Sequence, residues 1–173
     1  SSANFGNLDK NVYSEDIYVG YRYFNTFAKD RILYPFGYGL SYTGFNVSGF
    51  QGERSGDDVR LQFTVRNTGT TAGKEVVQIY YSAPQGQLGR PARELATYHK
   101  TGLLEPGGKE TVEIRLPLNQ MAAYDDSGVT GHPCCFILEE GTYEIYVSTD
   151  SLTDLYRYTV VLDDSHVVKQ CTR

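Results

Sequence analysis

The residues best suited by type to do chemistry are three pairs of neighbouring carboxylates: Asp57/Asp58, Asp125/Asp126 and Asp163/Asp164. Two carboxyl groups held about 5–9 Å apart can serve as acid and base, or as acid and nucleophile, in hydrolysis. Each pair falls in a polar turn or near a chain end, where solvated acids are expected, and neighbours on a strand point to opposite faces. His132, Cys134 and Cys135 have metal-binding types, but a structural zinc site wants four ligands and no second spaced pair exists. His99 and His166 are remote in the chain. Two buried thiols acting as small apolar groups are the simpler expectation, and a bond between adjacent cysteines would be strained. There is no Gly-Xaa-Ser-Xaa-Gly elbow and no Walker loop. Phe36-Gly37-Tyr38-Gly39 has glycines, but its aromatic content suits packing. The sequence thus assigns no catalytic, cofactor-binding or metal-binding residue, and no cofactor.

The elements that would position any site must come from a chain of 173 residues, enough for one domain and an extra segment. A hydrophobic share of 40% and a charged share of 21% suit a globular fold rather than wholesale disorder. A net charge of −5 without a basic run gives no pull toward nucleic acid or anionic lipid. No apolar stretch approaches the ~20 residues of a membrane helix. Ser1 to Lys10 lack the pattern of a secretory leader, and a start at Ser1 rather than Met suggests a processed or trimmed chain. Three cysteines are too few and too unevenly spaced for a disulfide framework, so the compartment stays open between secreted or periplasmic and cytoplasmic. Asn46-Val47-Ser48 is a glycosylation sequon that matters only in a secreted eukaryotic protein.

The chain divides near residue 44. Residues 1–44 are aromatic-rich and broken by Gly and Pro, with a strand expected over Ile17 to Phe24. They could hardly bury a core alone and read as an arm that packs on something else. From residue 45, short strands alternate with turns. Val59, Leu61, Phe63 and Val65 share one face of a strand, and Arg60, Gln62, Thr64 and Arg66 the other. Phe45 to Phe50 is a first short strand. Glu75 to Ser82 is apolar on both faces at Val76 and Val77, as a central strand would be. Glu94 to Leu104 is weaker, and Thr111 to Leu116 alternates again. Leu118 to Tyr124 suits a short helix or turn. Phe136 to Leu138 should open a hairpin closed by Glu139-Glu140-Gly141, with Tyr143, Ile145 and Val147 inward. Tyr156, Tyr158, Val160 and Leu162 mark the last strand.

Seven or eight strands without a long helix predict an all-β fold, an antiparallel immunoglobulin-like sandwich of the fibronectin type III kind with an extended N-terminal arm. The expected division is an arm at 1–44, a sandwich at 45–163 and a tail at 164–173. On such a sandwich Tyr80, Tyr98 and Tyr146 could stack on sugar rings, although Tyr in strands is more often half-core.

Three groups of residues resemble a known family. Ile17-Tyr-Val-Gly-Tyr-Arg-Tyr-Phe-Asn25 followed by Tyr34-Pro-Phe-Gly-Tyr-Gly-Leu-Ser-Tyr-Thr-Gly-Phe45 is similar to the linker leading out of the α/β sandwich domain in β-glucosidases of glycoside hydrolase family 3. Val65-Arg-Asn-Thr-Gly69, continuing to Pro84, resembles the first strands of the fibronectin type III-like domain that follows there. Arg90 to Leu118 and Leu138 to Ser151 look like its later strands. The resemblance covers roughly residues 13–150. It implies that residues 1 to about 30 end an α/β sandwich domain and that 31–44 form a linker. The catalytic Asp and Glu of the family lie on other domains, and neither motif is present here. Ser127 to Gly141, with Gly131-His-Pro-Cys-Cys135, departs from the Trp-containing strand common in relatives.

The resemblance implies a non-catalytic accessory domain of a retaining β-glucosidase, inactive alone, that braces catalytic domains on the same or a separate chain and could support a homo-oligomer. Glu15 and Arg22, the latter between Tyr21 and Tyr23, would lie near the domain junction. A stand-alone carbohydrate-binding or adhesion module is the alternative, and an independent enzyme using an acid pair is the third.

Overall fold

The structure, a computed structural model, describes residues 13–172. The arm's first twelve residues, including the segment examined for a leader, lie outside the described residues, as does Arg173. Ten strands follow residue 44: β1 Phe45–Ser55, β2 Asp58–Asn67, β3 Val76–Ser82, β4 Glu94–Lys100, β5 Lys109–Pro117, β6 Ala123–Asp125, β7 Cys135–Leu138, β8 Gly141–Ser148, β9 Asp154–Leu162 and β10 His166–Gln170. They form a three-stranded sheet in the order β1-β2-β5, a four-stranded sheet β4-β3-β8-β9, and a small sheet β10-β7-β6, all antiparallel.

The two larger sheets bury the faces that the period-two pattern assigns inward. Val59, Leu61, Phe63 and Val65 on β2 and Val112, Ile114 and Leu116 on β5 meet Val77, Ile79 and Tyr81 on β3, Tyr143, Ile145 and Val147 on β8, and Val160 and Leu162 on β9. Removing such faces from water supplies most of the driving force for folding. One side of the sandwich is closed where Tyr156 of β9 stacks on Phe50 of β1 at 5.0 Å and donates its hydroxyl to the Val47 carbonyl at 2.9 Å.

Three expectations need correction. Residues 17–24 do not form a strand. Gly20 takes φ 60, and the only α-helix among the described residues, α1, runs from Tyr21 to Phe27. Residues 136–138 do not open a hairpin with β8. β7 pairs with β6 and β10, and Glu139-Glu140 carries the chain from the small sheet to the large one. Last, β10 lies within the residues read as a tail.

The Asn67-Thr68-Gly69 turn is fixed by one side chain. Asn67 is fully buried, and its amide donates to the carbonyls of Thr71 and Leu104, both at 2.8 Å. Its Oδ1 accepts from Gly69 N at 3.0 Å and from the Thr43 hydroxyl at 2.6 Å, which ties the end of the arm to the sandwich. A Cβ at position 69 would lie 2.3 Å from Thr43 Oγ1, so glycine is required for the close approach. Asn67→Ala removes four hydrogen bonds from a fully buried position, including those to Gly69 N and the Thr43 hydroxyl, and should cost about 2–4 kcal/mol. Urea unfolding should show this as a lower midpoint with an unchanged slope.

Candidate functional site

The most unusual chemistry lies on the outer face of the four-stranded sheet, under the arm. β3 is buried on both faces, and its outer-facing Gln78 and Tyr80 are covered. Tyr21 of α1 sets its ring edge-on to Tyr80 at 5.9 Å and stacks on Phe36 at 5.2 Å. The Tyr21 hydroxyl accepts from the Leu95 backbone at 2.8 Å. Asn25 donates to the Ser151 carbonyl at 2.8 Å, and Ser151 N donates to the Phe36 carbonyl at the same distance. Thr26 Oγ1 accepts from Ala92 N at 2.9 Å. Arg22 lies 3.6 Å from Glu94, whose other oxygen holds the buried Arg90 at 2.6 Å.

This bonding turns the helix inside out. Its polar residues Asn25 and Thr26 face the protein, whereas Tyr23, Phe24 and Phe27 are 46%, 43% and 60% exposed. Surface helices usually do the reverse. The apolar surface continues along the linker through Leu33, Tyr34, Phe36, Tyr38, Leu40 and Tyr42, the last 98% exposed. Between α1 and the linker lies a groove of about 450 Å³, walled by Tyr21, Phe24, Leu33, Tyr34 and Phe36. At its floor Asn25 Oδ1 and Ser151 Oγ are buried without a hydrogen-bond partner.

Below the arm, Arg93 stands between the rings of Tyr80 and Tyr146, at 4.7 and 4.6 Å from their centroids. It also bonds Ser148 Oγ at 2.7 Å and pairs with Asp154 at 2.5 Å. Gln78 donates to the Thr149 carbonyl at 3.0 Å and accepts the Tyr80 hydroxyl. Burial pushes the Tyr80 phenol above its ordinary value, with a smaller push from Tyr21. Gly37 sits directly on Gln78. At φ 96, a Cβ there would fall 2.1 Å from Gln78 Nε2, so the Phe36-Gly37 step needs glycine both for its dihedral and for space.

The residues singled out from sequence are scattered. Tyr80 is covered by the arm and Tyr146 by Arg93, so neither offers an open ring, while Tyr98 stands exposed on β4. Glu15 is exposed. Asp58 pairs with Arg115 at 2.7 Å, and Asp57, Asp126, Asp163 and Asp164 are exposed. His99 bonds Glu110 at 2.6 Å, and His132 and His166 are exposed. Among the described residues no three His, Cys, Asp or Glu side chains group as metal ligands. The three cysteines are free thiols, and of the adjacent pair only Cys135 is fully buried. Sequence reasoning singled out neither Asn25, Gln78 nor Thr43. Asn25 could have been noticed as the one amide inside an aromatic run, four residues beyond Tyr21.

Asp125 is the one candidate acid that is fully buried. Burial alone would raise its pKa. The Thr130 hydroxyl at 2.6 Å, Thr130 N at 2.9 Å, Gly128 N at 2.6 Å and Ser127 Oγ at 3.1 Å outweigh this and hold it well below the usual carboxylate range. It is a loop anchor rather than a proton donor.

Two outcomes are expected. A depressed folded pKa contributes stability that is present above the ordinary value of 3.8 and is lost as pH falls through the folded value. Wild type should therefore lose stability below about pH 4 more steeply than Asp125→Asn, which starts lower at neutral pH. Chemical denaturation across pH 2–7 would read both. Gly37→Ala should cost about 1–3 kcal/mol and loosen the arm, seen as faster proteolysis within residues 28–44 while the sandwich survives.

The sequence of residues 75–151 matches the fibronectin type III-like domain family. A β-glucosidase from Ruminococcus albus is 45% identical over 170 residues, which cover 98% of this chain and 18% of that protein. The solved structure of a β-glucosidase from Paenibacillus barengoltzii superposes with a TM-score of 0.89 at 48% identity, covering 100% of this chain and 20% of that one. A GH3 β-glucosidase from Bifidobacterium adolescentis gives a TM-score of 0.81 at 30% identity, covering 94% of this chain and 23% of that one. The chain spans about a fifth of the length of these relatives. This chain thus belongs to the C-terminal region of glycoside hydrolase family 3 β-glucosidases and carries their fibronectin type III-like domain.

Proposed function

We propose that this unit braces the catalytic domains of a β-glucosidase, with the outward aromatic face of residues 13–44 as the docking surface. The observation that carries the proposal is α1, which turns its polar side to the sandwich and its apolar side outward. Contiguous exposed apolar surface of this extent marks an interaction site. Tyr and Phe are the residues enriched at the centres of such interfaces. Two of the three buried side-chain polar atoms without partners among the described residues, Asn25 Oδ1 and Ser151 Oγ, lie under the same surface, and the third is Arg93 Nε. Residues 13–44 would then belong structurally to the junction with a preceding α/β domain, and the sandwich would hold them in place.

The parent enzyme would remove terminal β-linked sugars by a retaining mechanism, with its Asp and Glu supplied by the other domains. In this reading the chain itself supplies no proton donor or nucleophile. In support, Asp58 pairs with Arg115, Glu94 with Arg90, Glu110 with His99, Asp154 with Arg93 and Glu144 with Arg157, and Asp125 holds the 125–130 loop. A stand-alone sugar-binding module gains no support from the ring at 80, which is fully buried, or from that at 146, which is half-buried with Arg93 stacked on it.

The test is made in the parent enzyme. Phe24→Asp with Phe27→Asp should reduce β-glucosidase activity and lower the thermal midpoint of the whole enzyme. The same pair should change the stability of the 173-residue chain by less than about 1 kcal/mol, since both side chains are exposed in it. The chain alone should not turn over a chromogenic β-glucoside. Unchanged activity and midpoint in the double variant would refute docking through this face.

A further inference from the structure

Cys134 and Cys171 come together at one end of the small sheet. Strands β7 and β10 pair with Gln170 opposite Cys135, so the next residues along, Cys134 and Cys171, oppose each other. Their backbones are bonded, Cys171 N donating to the Cys134 carbonyl at 2.8 Å. The Gln170 side chain reinforces the contact by donating to the carbonyls of Pro133 at 2.9 Å and Cys134 at 3.1 Å. Both thiol-bearing residues are partly exposed, so a small reagent can reach them. The Tyr124 phenol sits beside both. It is pushed above its ordinary value first by desolvation and then by its Cys134 and Cys171 neighbours. Cys135 is near both but fully buried, with its thiol donating to the His132 carbonyl at 2.9 Å.

Cys134 lies one residue before β7 with φ 59, and Cys171 one residue after β10, so the pair sits at the end of the ladder joined by that backbone bond, and a disulfide needs Cβ atoms about 3.5–4.5 Å apart. β10 is an edge strand of the small sheet, paired on one side only. We propose that Cys134 and Cys171 are a modification site, a reversible disulfide closed by exchange with a small-molecule disulfide such as oxidised glutathione. One thiolate attacks the glutathione disulfide and expels one glutathione thiolate, leaving a mixed disulfide. The second thiolate then attacks the protein sulfur of that mixed disulfide and expels the second glutathione. Two protein thiols are oxidised and one glutathione disulfide is reduced to two thiols. The bond pins β10, whose Val168 packs on the core, to β7.

The full chain is equilibrated in glutathione buffers from fully reduced to fully oxidised, quenched with an alkylating reagent, and mapped by peptide mass. A Cys134–Cys171 cross-linked peptide is expected, lighter by two hydrogens, with Cys135 alkylated only after unfolding. The thermal midpoint should rise by roughly 5 °C or more on oxidation and return on reduction. Cys171→Ser and Cys134→Ser should each abolish both effects, and Cys135→Ser should preserve them. Separate glutathione adducts, a link through Cys135, a link between two chains, or no link in fully oxidised buffer would each overturn the proposal. None of these readouts depends on the docking role of the arm.

Discussion

A ring buried on the outer face of a sheet is the constraint around which this unit is organised. In a two-sheet sandwich only the inner faces have an obligatory partner, and outer faces are ordinarily wet. Tyr80 violates this, since it is fully buried on the side of β3 that turns away from the core. Its hydroxyl needs a partner and finds Gln78. Its ring needs cover and finds Tyr21 on one side and the Arg93 guanidinium on the other. Arg93 is too costly to bury as a bare charge, and it is offset by Asp154, Ser148 and a second ring at Tyr146. Beyond β3 itself, these partners come from the arm, the β3–β4 connection, β8 and the start of β9, which are therefore fixed together.

The parts of the fold that could be read from sequence are those whose burial is set by strand geometry alone. Alternation over 59–65, 112–116 and 143–147 matches the buried faces, because side chains on a strand alternate between core and water. Val76 and Val77 marked β3 as buried on both sides without revealing what covers the second side. The α1 segment was misread for a physical reason. Ile, Val, Tyr and Phe favour strands, and a helix whose apolar side faces outward offers no inward stripe to detect. The supposed hairpin at 139–141 failed for a related reason. Glu139 accepts from Gln87 N at 2.6 Å, and its carbonyl accepts the Tyr143 hydroxyl at 2.9 Å. These long-range and local bonds together make the segment a corner between sheets, which a short Glu-Glu-Gly run does not disclose.

The roles of the acids were not legible from their pairing in sequence. Paired acids in sequence diverge on strands or turns, and the structure puts their oxygens to separate uses. Asp58 meets Arg115, and Asp125 holds its own loop through Ser127, Gly128 and Thr130. The motif glycines became intelligible only with coordinates. Gly37 and Gly69 look like generic turn residues, yet one lies against the Gln78 amide and the other against the Thr43 hydroxyl. What the Tyr34–Phe45 and Val65–Gly69 motifs encode is thus the contact between arm and sandwich.

The direction of cause in this unit runs from the sandwich to the arm. A helix of seven residues has no independent stability in water, because nucleation is costly and few bonds repay it. α1 lacks a side-chain cap and an acidic first turn, so nothing local sustains it. It persists because Tyr21, Asn25 and Thr26 bond to positions on or beside the large sheet. The same contacts leave Tyr23, Phe24 and Phe27 no inward path, so the outward aromatic face follows from how the inward polar face is satisfied. The sandwich in this way shapes a surface beyond its own strands. It fixes a short segment in a conformation that the segment could not hold alone, and it meets the entropy cost of ordering those rings before any partner arrives.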